Sequence, residues 1–231
     1  MKTIGLLGGM SWESTQSYYR LINEGVKARL GGLHSARLIL YSVDFAEIEV
    51  LQQQGDWEAA GRLLASAAEA VQAAGADFLL IGTNTMHKVA PQIDDAIDIP
   101  LLHIADATAQ ALRHEGMHSV GLLGTRFTME QAFYRERLER AGIRVLVPDQ
   151  EERDEIHRII YEELCQGDIR PDSRAVFQAV VDSLATRGAQ AALLGCTEIG
   201  LLLKQSDTPV ALFDTTEIHA NAAVAAALGG T

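Results

Sequence analysis

The chain has 231 residues, 48% of them hydrophobic and 22% charged, with a net charge of −12. That length fits one large domain or two small ones with a real core. The acidic balance offers no electrostatic footprint for nucleic acid or an anionic membrane surface, and no apolar run reaches the ~18 residues of a membrane-spanning helix.

The N-terminus, Met1-Lys2-Thr3-Ile4-Gly5, runs directly into a strand pattern without the layout of a signal peptide, so a cytoplasmic protein is expected. Residues 3–7 read as a buried strand ending in Gly8-Gly9-Met10-Ser11, with Ser14 or Thr15 as cap of a helix to about Leu30. A second strand spans 36–43 and ends near Asp44. Residues 57–74 carry apolar side chains at helical spacing and stop at Gly75. Residues 77–82 form a third strand, followed by Thr83-Asn84-Thr85-Met86-His87. A helix over 86–96 with Pro91 as a kink, a strand over 100–104, and a helix capped by Asp106 to about Glu115 complete the first half.

The pattern then starts again. A strand over 119–123 ends in Gly124-Thr125-Arg126-Phe127-Thr128, and a helix follows over 129–141. A strand over 143–147, helices over 151–165 and 171–187, and a strand over 190–195 lead to Cys196. A strand over 210–213 and a helix over 215–228 close the chain. Gly8 and Gly124 are 116 residues apart, and Thr83 and Cys196 are 113 apart. Two βα units repeated at nearly one interval indicate an internal duplication. The expected fold is α/β: two pseudo-symmetric three-layer subdomains with mainly parallel sheets, residues 1–100 with 210–231 and residues 101–209, and the active site in the cleft between them.

Leu193-Leu194-Gly195-Cys196 and Ile81-Gly82-Thr83 each place a small nucleophilic or hydroxyl side chain at the C-terminal end of a strand, where open α/β sheets bind ligands. Cys196 also stands where a helix N-terminus would lower its pKa. Glu198, two residues on, opposes thiolate formation unless it accepts the thiol proton. Cys165 reads as packing on an amphipathic helix. Thr83, Asn84 and Thr85 suit either a helix cap or an anion cradle, and the sequence does not separate the two. Met10 and Ser11, Thr125, Thr128 and Thr197 are open to the same pair of readings. His87, His103 and Glu198 are the residue types that structural hydrogen bonds commonly satisfy. The glycine-rich start lacks G-x-G-x-x-G spacing. No C-x-x-C or H-E-x-x-H pattern occurs, so no metal is expected.

Gly8-Gly9-Met10-Ser11, Asn84-Thr85-Met86-His87, Gly124-Thr125 with Thr128, and Gly195-Cys196-Thr197-Glu198 together resemble the aspartate/glutamate racemase family, and within it the bacterial broad-specificity amino-acid racemases. The resemblance covers nearly the whole chain. It implies a cofactor-independent enzyme without pyridoxal phosphate or metal, usually a homodimer, acting on an amino acid as its small-molecule substrate. It further implies two opposed acid–base residues, here Cys196 and Thr83. Asn84, Thr85, Thr125 and Thr197 would hold the substrate, with Met10, Ser11, Thr128 and Glu198 in the same shell. Thr83 departs from the second cysteine that most members carry, so one direction is expected to be slow. A catalytically weak amino-acid binding protein and an asymmetric decarboxylase or lyase of the same superfamily are the alternative readings.

Overall fold

The first apolar run forms strand β1 (Ile4–Gly8), buried at every residue, in the computed structural model, which describes residues 1–229. It is followed by α1 (Trp12–Leu30), β2 (Leu38–Ser42), α2 (Phe45–Gln54), α3 (Trp57–Ala73), β3 (Phe78–Ile81), a 3-10 turn (Thr85–Val89) and α4 (Ala90–Asp94). The second half runs α5 (Ile104–His114), β4 (Ser119–Gly124), α6 (Arg126–Glu130), α7 (Ala132–Arg140), β5 (Arg144–Leu146), α8 (Gln150–Glu162), α9 (Pro171–Thr186), β6 (Ala191–Gly195), α10 (Ile199–Leu202), β7 (Ala211–Asp214) and α11 (Thr215–Leu228). The described residues divide into two units, Met1–Ile104 with those from His219 to 229, and Ala105–Ile218. Among the described residues no helix is long and apolar enough to cross a membrane.

The first unit holds a three-stranded sheet, β2-β1-β3, all parallel. Alternate residues of its strands face different layers. Leu7, Leu79 and Ile81 pack on Leu64, Ala68 and Val71 of α3, while Ile4, Leu6, Phe78 and Leu80 pack on Tyr18, Ile22 and Val26 of α1 and on Ala220, Ala223 and Val224 of α11. Helices on both faces are what a parallel sheet of continuous apolar strands requires, and each fully buried aliphatic side chain contributes about 1.5–3 kcal/mol. Edge strand β2 leaves Leu40 and Tyr41 exposed.

The second unit repeats the plan in a four-stranded parallel sheet, β5-β4-β6-β7. The registers coincide. Leu7 pairs with Ile81 in the first sheet and Leu123 with Leu194 in the second, reproducing both sequence offsets. The packing coincides as well. A Cβ on Gly5 would lie 2.6 Å from Val71 Cγ1, and one on Gly121 would lie 2.7 Å from Leu184 Cδ1. In each unit, then, a glycine in the central strand lets the same helix press against the sheet.

The structure departs from the sequence reading at several places. The 100–104 strand reduces to a single parallel bridge, Leu79–Leu101. Pro100 has no N–H to give, and the Ile104 N–H goes to a histidine ring nitrogen instead of a strand. This bridge is the counterpart of the Ala192–Leu212 pair, where β7 is complete. Strand β7 pairs with β6, so the chain returns to the first unit at His219 rather than near 210. The cap of α1 is Ser11, which accepts from the Ser14 N–H; Ser14 and Thr15 do other work, described below. Asp106 lies inside the first turn of α5 and pairs with Arg137. The 129–141 helix is two helices, broken where Gln131 is extended. Pro91 sits in the opening turn of α4, after a 3-10 turn. Helix α2, capped by Asp44, was not anticipated.

Candidate active site

In both units the decisive turn follows a glycine at the end of the third strand. A Cβ on Gly82 would stand 3.0 Å from the Leu7 carbonyl oxygen, and one on Gly195 would stand 2.7 Å from that of Leu123. A side chain is excluded by the neighbouring strand, and the next residue turns out of the sheet: Thr83 in one unit, Cys196 in the other. Both are half-buried. They occupy equivalent positions on equivalent sheets.

Around Thr83 the chain is held by backbone-directed bonds. Ser14 Oγ donates to the Gly82 carbonyl at 3.0 Å. Thr15 Oγ1 accepts from the Gly9 N–H at 2.7 Å and donates to the Ser11 carbonyl at 2.8 Å, fixing the Gly8-Gly9-Met10-Ser11 turn. The His87 ring bonds the Thr83 carbonyl, Nδ1 to O, at 2.7 Å. Asn84 and Thr85 are buried, and the Asn84 side chain makes no capping bond to the turn that follows. Met10 is buried in the same core cluster as Met86, and Ser11 is occupied as a helix cap.

Around Cys196 the bonds run from side chain to side chain. Cys196 Sγ donates to Glu198 Oε2 at 3.0 Å, and Glu198 is buried. Thr197 Oγ1 lies 3.1 Å from Thr216 Oγ1. Thr125 caps α6, accepting from the Thr128 N–H, and the two hydroxyls are 3.3 Å apart. The Thr128 methyl would meet a Gly195 Cβ at 3.4 Å, which places this hydroxyl pair beside the strand end that carries Cys196. Thus Thr125, Thr128, Thr197, Glu198 and Cys196 belong to the second unit, and Met10, Ser11, Thr83, Asn84 and Thr85 to the first.

Burial is the largest influence on the Cys196 thiol and pushes its pKa well above the ordinary value; the Glu198 charge pushes the same way. The helix-terminus lowering expected from the sequence does not occur, because α10 is a single turn and a carboxylate stands nearer. Thr216 and Asp214 were not anticipated. Asp214 Oδ1 accepts from the Thr216 and Glu217 N–H groups, and burial raises its pKa. The signal for both lay in the repeat: β7 answers the Leu101 bridge, which puts Asp214 where His103 stands in the first half. An open pocket bounded by Gly200, Lys204, Asp214 and Glu217 lies in the second unit and does not include Cys196.

The family model described as Asp/Glu/Hydantoin racemase matches residues 7–223. The sequence is 22% identical over 227 residues to the broad specificity amino-acid racemase RacX of Bacillus subtilis (strain 168), covering 96% of each chain. The crystal structure of a candidate Asp/Glu racemase from Yersinia pestis is 56% identical with a TM-score of 0.93, covering 99% of this chain and 100% of that one. An aspartate racemase homologue from Pyrococcus horikoshii OT3 is 35% identical with a TM-score of 0.87, over 99% and 100% of the two chains.

Proposed function

Because this chain belongs to the Asp/Glu/hydantoin racemase family, we propose that it is a pyridoxal-independent amino-acid racemase in which Cys196 and Thr83 serve opposite faces of one α-carbon. The observation that carries this reading is the hydrogen-bonded thiol–carboxylate pair of Cys196 and Glu198, 3.0 Å apart, at the position that repeats Thr83. A resting thiol with a raised pKa needs a proton acceptor before it can act as a base, and Glu198 is in place to be one. In one direction the thiol proton passes to Glu198, the thiolate takes the α-proton, and the Thr83 hydroxyl delivers a proton to the other face while water replaces it. The carbanion between these steps needs donors at its carboxylate, and preorganised hydroxyl and N–H groups stabilise it better than water does. Asn84, Thr85, Thr125, Thr128 and Thr197 are proposed for that task, with Met10 and Ser11 alongside.

A threonine hydroxyl is a far weaker base than a thiolate near neutral pH. Enantiomers have equal free energy, so kcat/KM must match in the two directions; the asymmetry falls on kcat and KM separately. The exposed Leu40 and Tyr41 on edge strand β2 support a homodimer as part of the same proposal. The test is an α-hydrogen exchange screen in deuterated buffer across the common amino acids, each as a pure enantiomer. Exchange with inversion is the expected result, with unequal kcat for the two enantiomers of the preferred substrate. Absence of exchange with every amino acid, accompanied by a ligand-induced rise in Tm, would instead identify a binding protein.

A second reading has one observation in its favour: only one of the two repeated positions carries a thiol. A single acid protonating one face of a planar intermediate suits an asymmetric decarboxylase. Release of carbon dioxide from a disubstituted malonate, with no racemisation, would select it.

A further inference from the structure

The first unit contains three buried histidines in ring contact. His87 and His103 have centroids 4.5 Å apart, and His87 and His219 have centroids 5.8 Å apart; all three are at most 5% exposed. Two of them, His219 and His87, are hydrogen-bonded to backbone on either side of His103. The Tyr18 hydroxyl lies 2.9 Å from His219 Nδ1, and His219 Nε2 lies 2.8 Å from the Leu102 carbonyl oxygen. Two residues on, the Ile104 N–H donates to His87 Nε2 at 3.2 Å, and His87 Nδ1 lies 2.7 Å from the Thr83 carbonyl oxygen. A carbonyl only accepts, so His87 carries its proton on Nδ1 and receives at Nε2. By the same rule His219 carries its proton on Nε2. The His87 ring, accepting at Nε2 and donating at Nδ1, is therefore neutral, and the His219 ring is bonded at both nitrogens.

We propose that His87 is a positioning residue for Thr83: its ring, braced by the Ile104 N–H, sets the Thr83 peptide and hence where the Thr83 hydroxyl stands during proton transfer. The inference rests on the reading of Thr83 as an acid–base residue. Three observations carry it. The bond to the Thr83 carbonyl is the short one. The brace is itself anchored, because His219 and Tyr18 hold Leu102 on the other side of His103. The device is also absent from the thiol's side of the repeat: the residue four past Cys196 is Gly200, which has no ring. An oxygen is smaller and less polarisable than a sulfur, so its proton transfer tolerates less misplacement, and a 1 Å error can cost about 100-fold in rate.

The test compares wild type, His87→Asn and His87→Phe in deuterated buffer, with circular dichroism as the check on folding. Two rates are read for each pure enantiomer: inversion, which needs Thr83, and wash-in of deuterium with retention at the Cys196 face. His87→Phe should lower inversion about 10- to 100-fold and leave retention exchange within about 3-fold. His87→Asn, which can still donate to the Thr83 carbonyl, should recover most of the loss. Equal losses in both rates, or no loss in either, overturns the proposal. If His87→Phe does not fold, the asparagine variant and the ring nitrogen shifts of the wild type decide. The expected spectrum is a neutral, Nδ1-protonated His87 at pH 7; an Nε2-protonated or charged ring overturns the proposal. A wild type without exchange on any amino acid would sink the reading of Thr83, and this role with it. A wild type that inverts normally beside an unaffected His87→Phe would sink the role alone.

Discussion

The two strand ends that carry Thr83 and Cys196 share register, a preceding glycine and the same steric reason for that glycine, yet they are held in opposite ways. Thr83 is fixed through its backbone by a ring, while Cys196 is fixed through its side chain by a carboxylate. The next contacts differ in the same sense. Where His87 meets His103 edge-on, the second unit has Gly200 and Asp214, and a Cβ on Gly200 would lie 2.6 Å from Asp214 Oδ2. A duplicated scaffold has been given neutral aromatic chemistry on one copy and acidic chemistry on the other. The lesson is that a repeat fixes where the two side chains leave their strands, and the neighbours decide how each is held.

The comparison breaks first at the thiol. Cys196→Ser should cut α-hydrogen exchange by at least about 1,000-fold, because it removes the base; a rate within 10-fold of wild type would move the chemistry elsewhere. Glu198→Gln should lower kcat by roughly 10- to 100-fold by removing the proton acceptor. It should also shift the rising limb of the pH–rate profile, which follows formation of the thiolate base, to lower pH, since the carboxylate charge that helps raise the thiol pKa is gone. An unshifted limb would mean that Glu198 does not sense the thiol. Thr83→Cys makes the two strand ends chemically alike, and it should raise the slower kcat about 10-fold and bring the two kcat values together. No gain would count against pairing these positions.

Stability should separate the units by pH. Burial lowers the His219 pKa from 6.5 to about 4. A base whose folded pKa is depressed gives its full stability above the unfolded value and loses it as pH falls. Here that means a loss of about 3 kcal/mol between pH 6.5 and 4. The Cys196 thiol is the opposite case. Its folded pKa is raised above 9.0, so its contribution is intact below that value and lost as pH rises past it. Thermal unfolding across pH in wild type, His219→Gln and Cys196→Ser checks both, each variant flattening one flank only.

Much of this architecture can be read in the chain itself. The apolar runs before Gly8, Gly82, Gly124 and Gly195 gave the central strands, and the two offsets gave the duplication that the strand registers reproduce. The strand read over 100–104 shrinks to a single bridge because a side chain, His87, takes the rung that a strand partner would fill, and local sequence does not show that contact. Helix α2 escaped because only Ile48 and Gln52 of its ten residues are buried, leaving no apolar stripe to read. The direction of the Cys196 shift depends on burial and on a carboxylate 3.0 Å away, neither of which spacing reveals. Tyr18 and His219 are 201 residues apart, too far for any local pattern to join them.

The central claim, that Cys196 and Thr83 divide the two faces of one carbon, is tested most directly by following both enantiomers of the preferred amino acid in deuterated buffer with Thr83→Ala. The account predicts that one enantiomer still takes up deuterium at its α-carbon with its configuration retained, through Cys196, while inversion is lost. Inversion at the wild-type rate in that variant would contradict it.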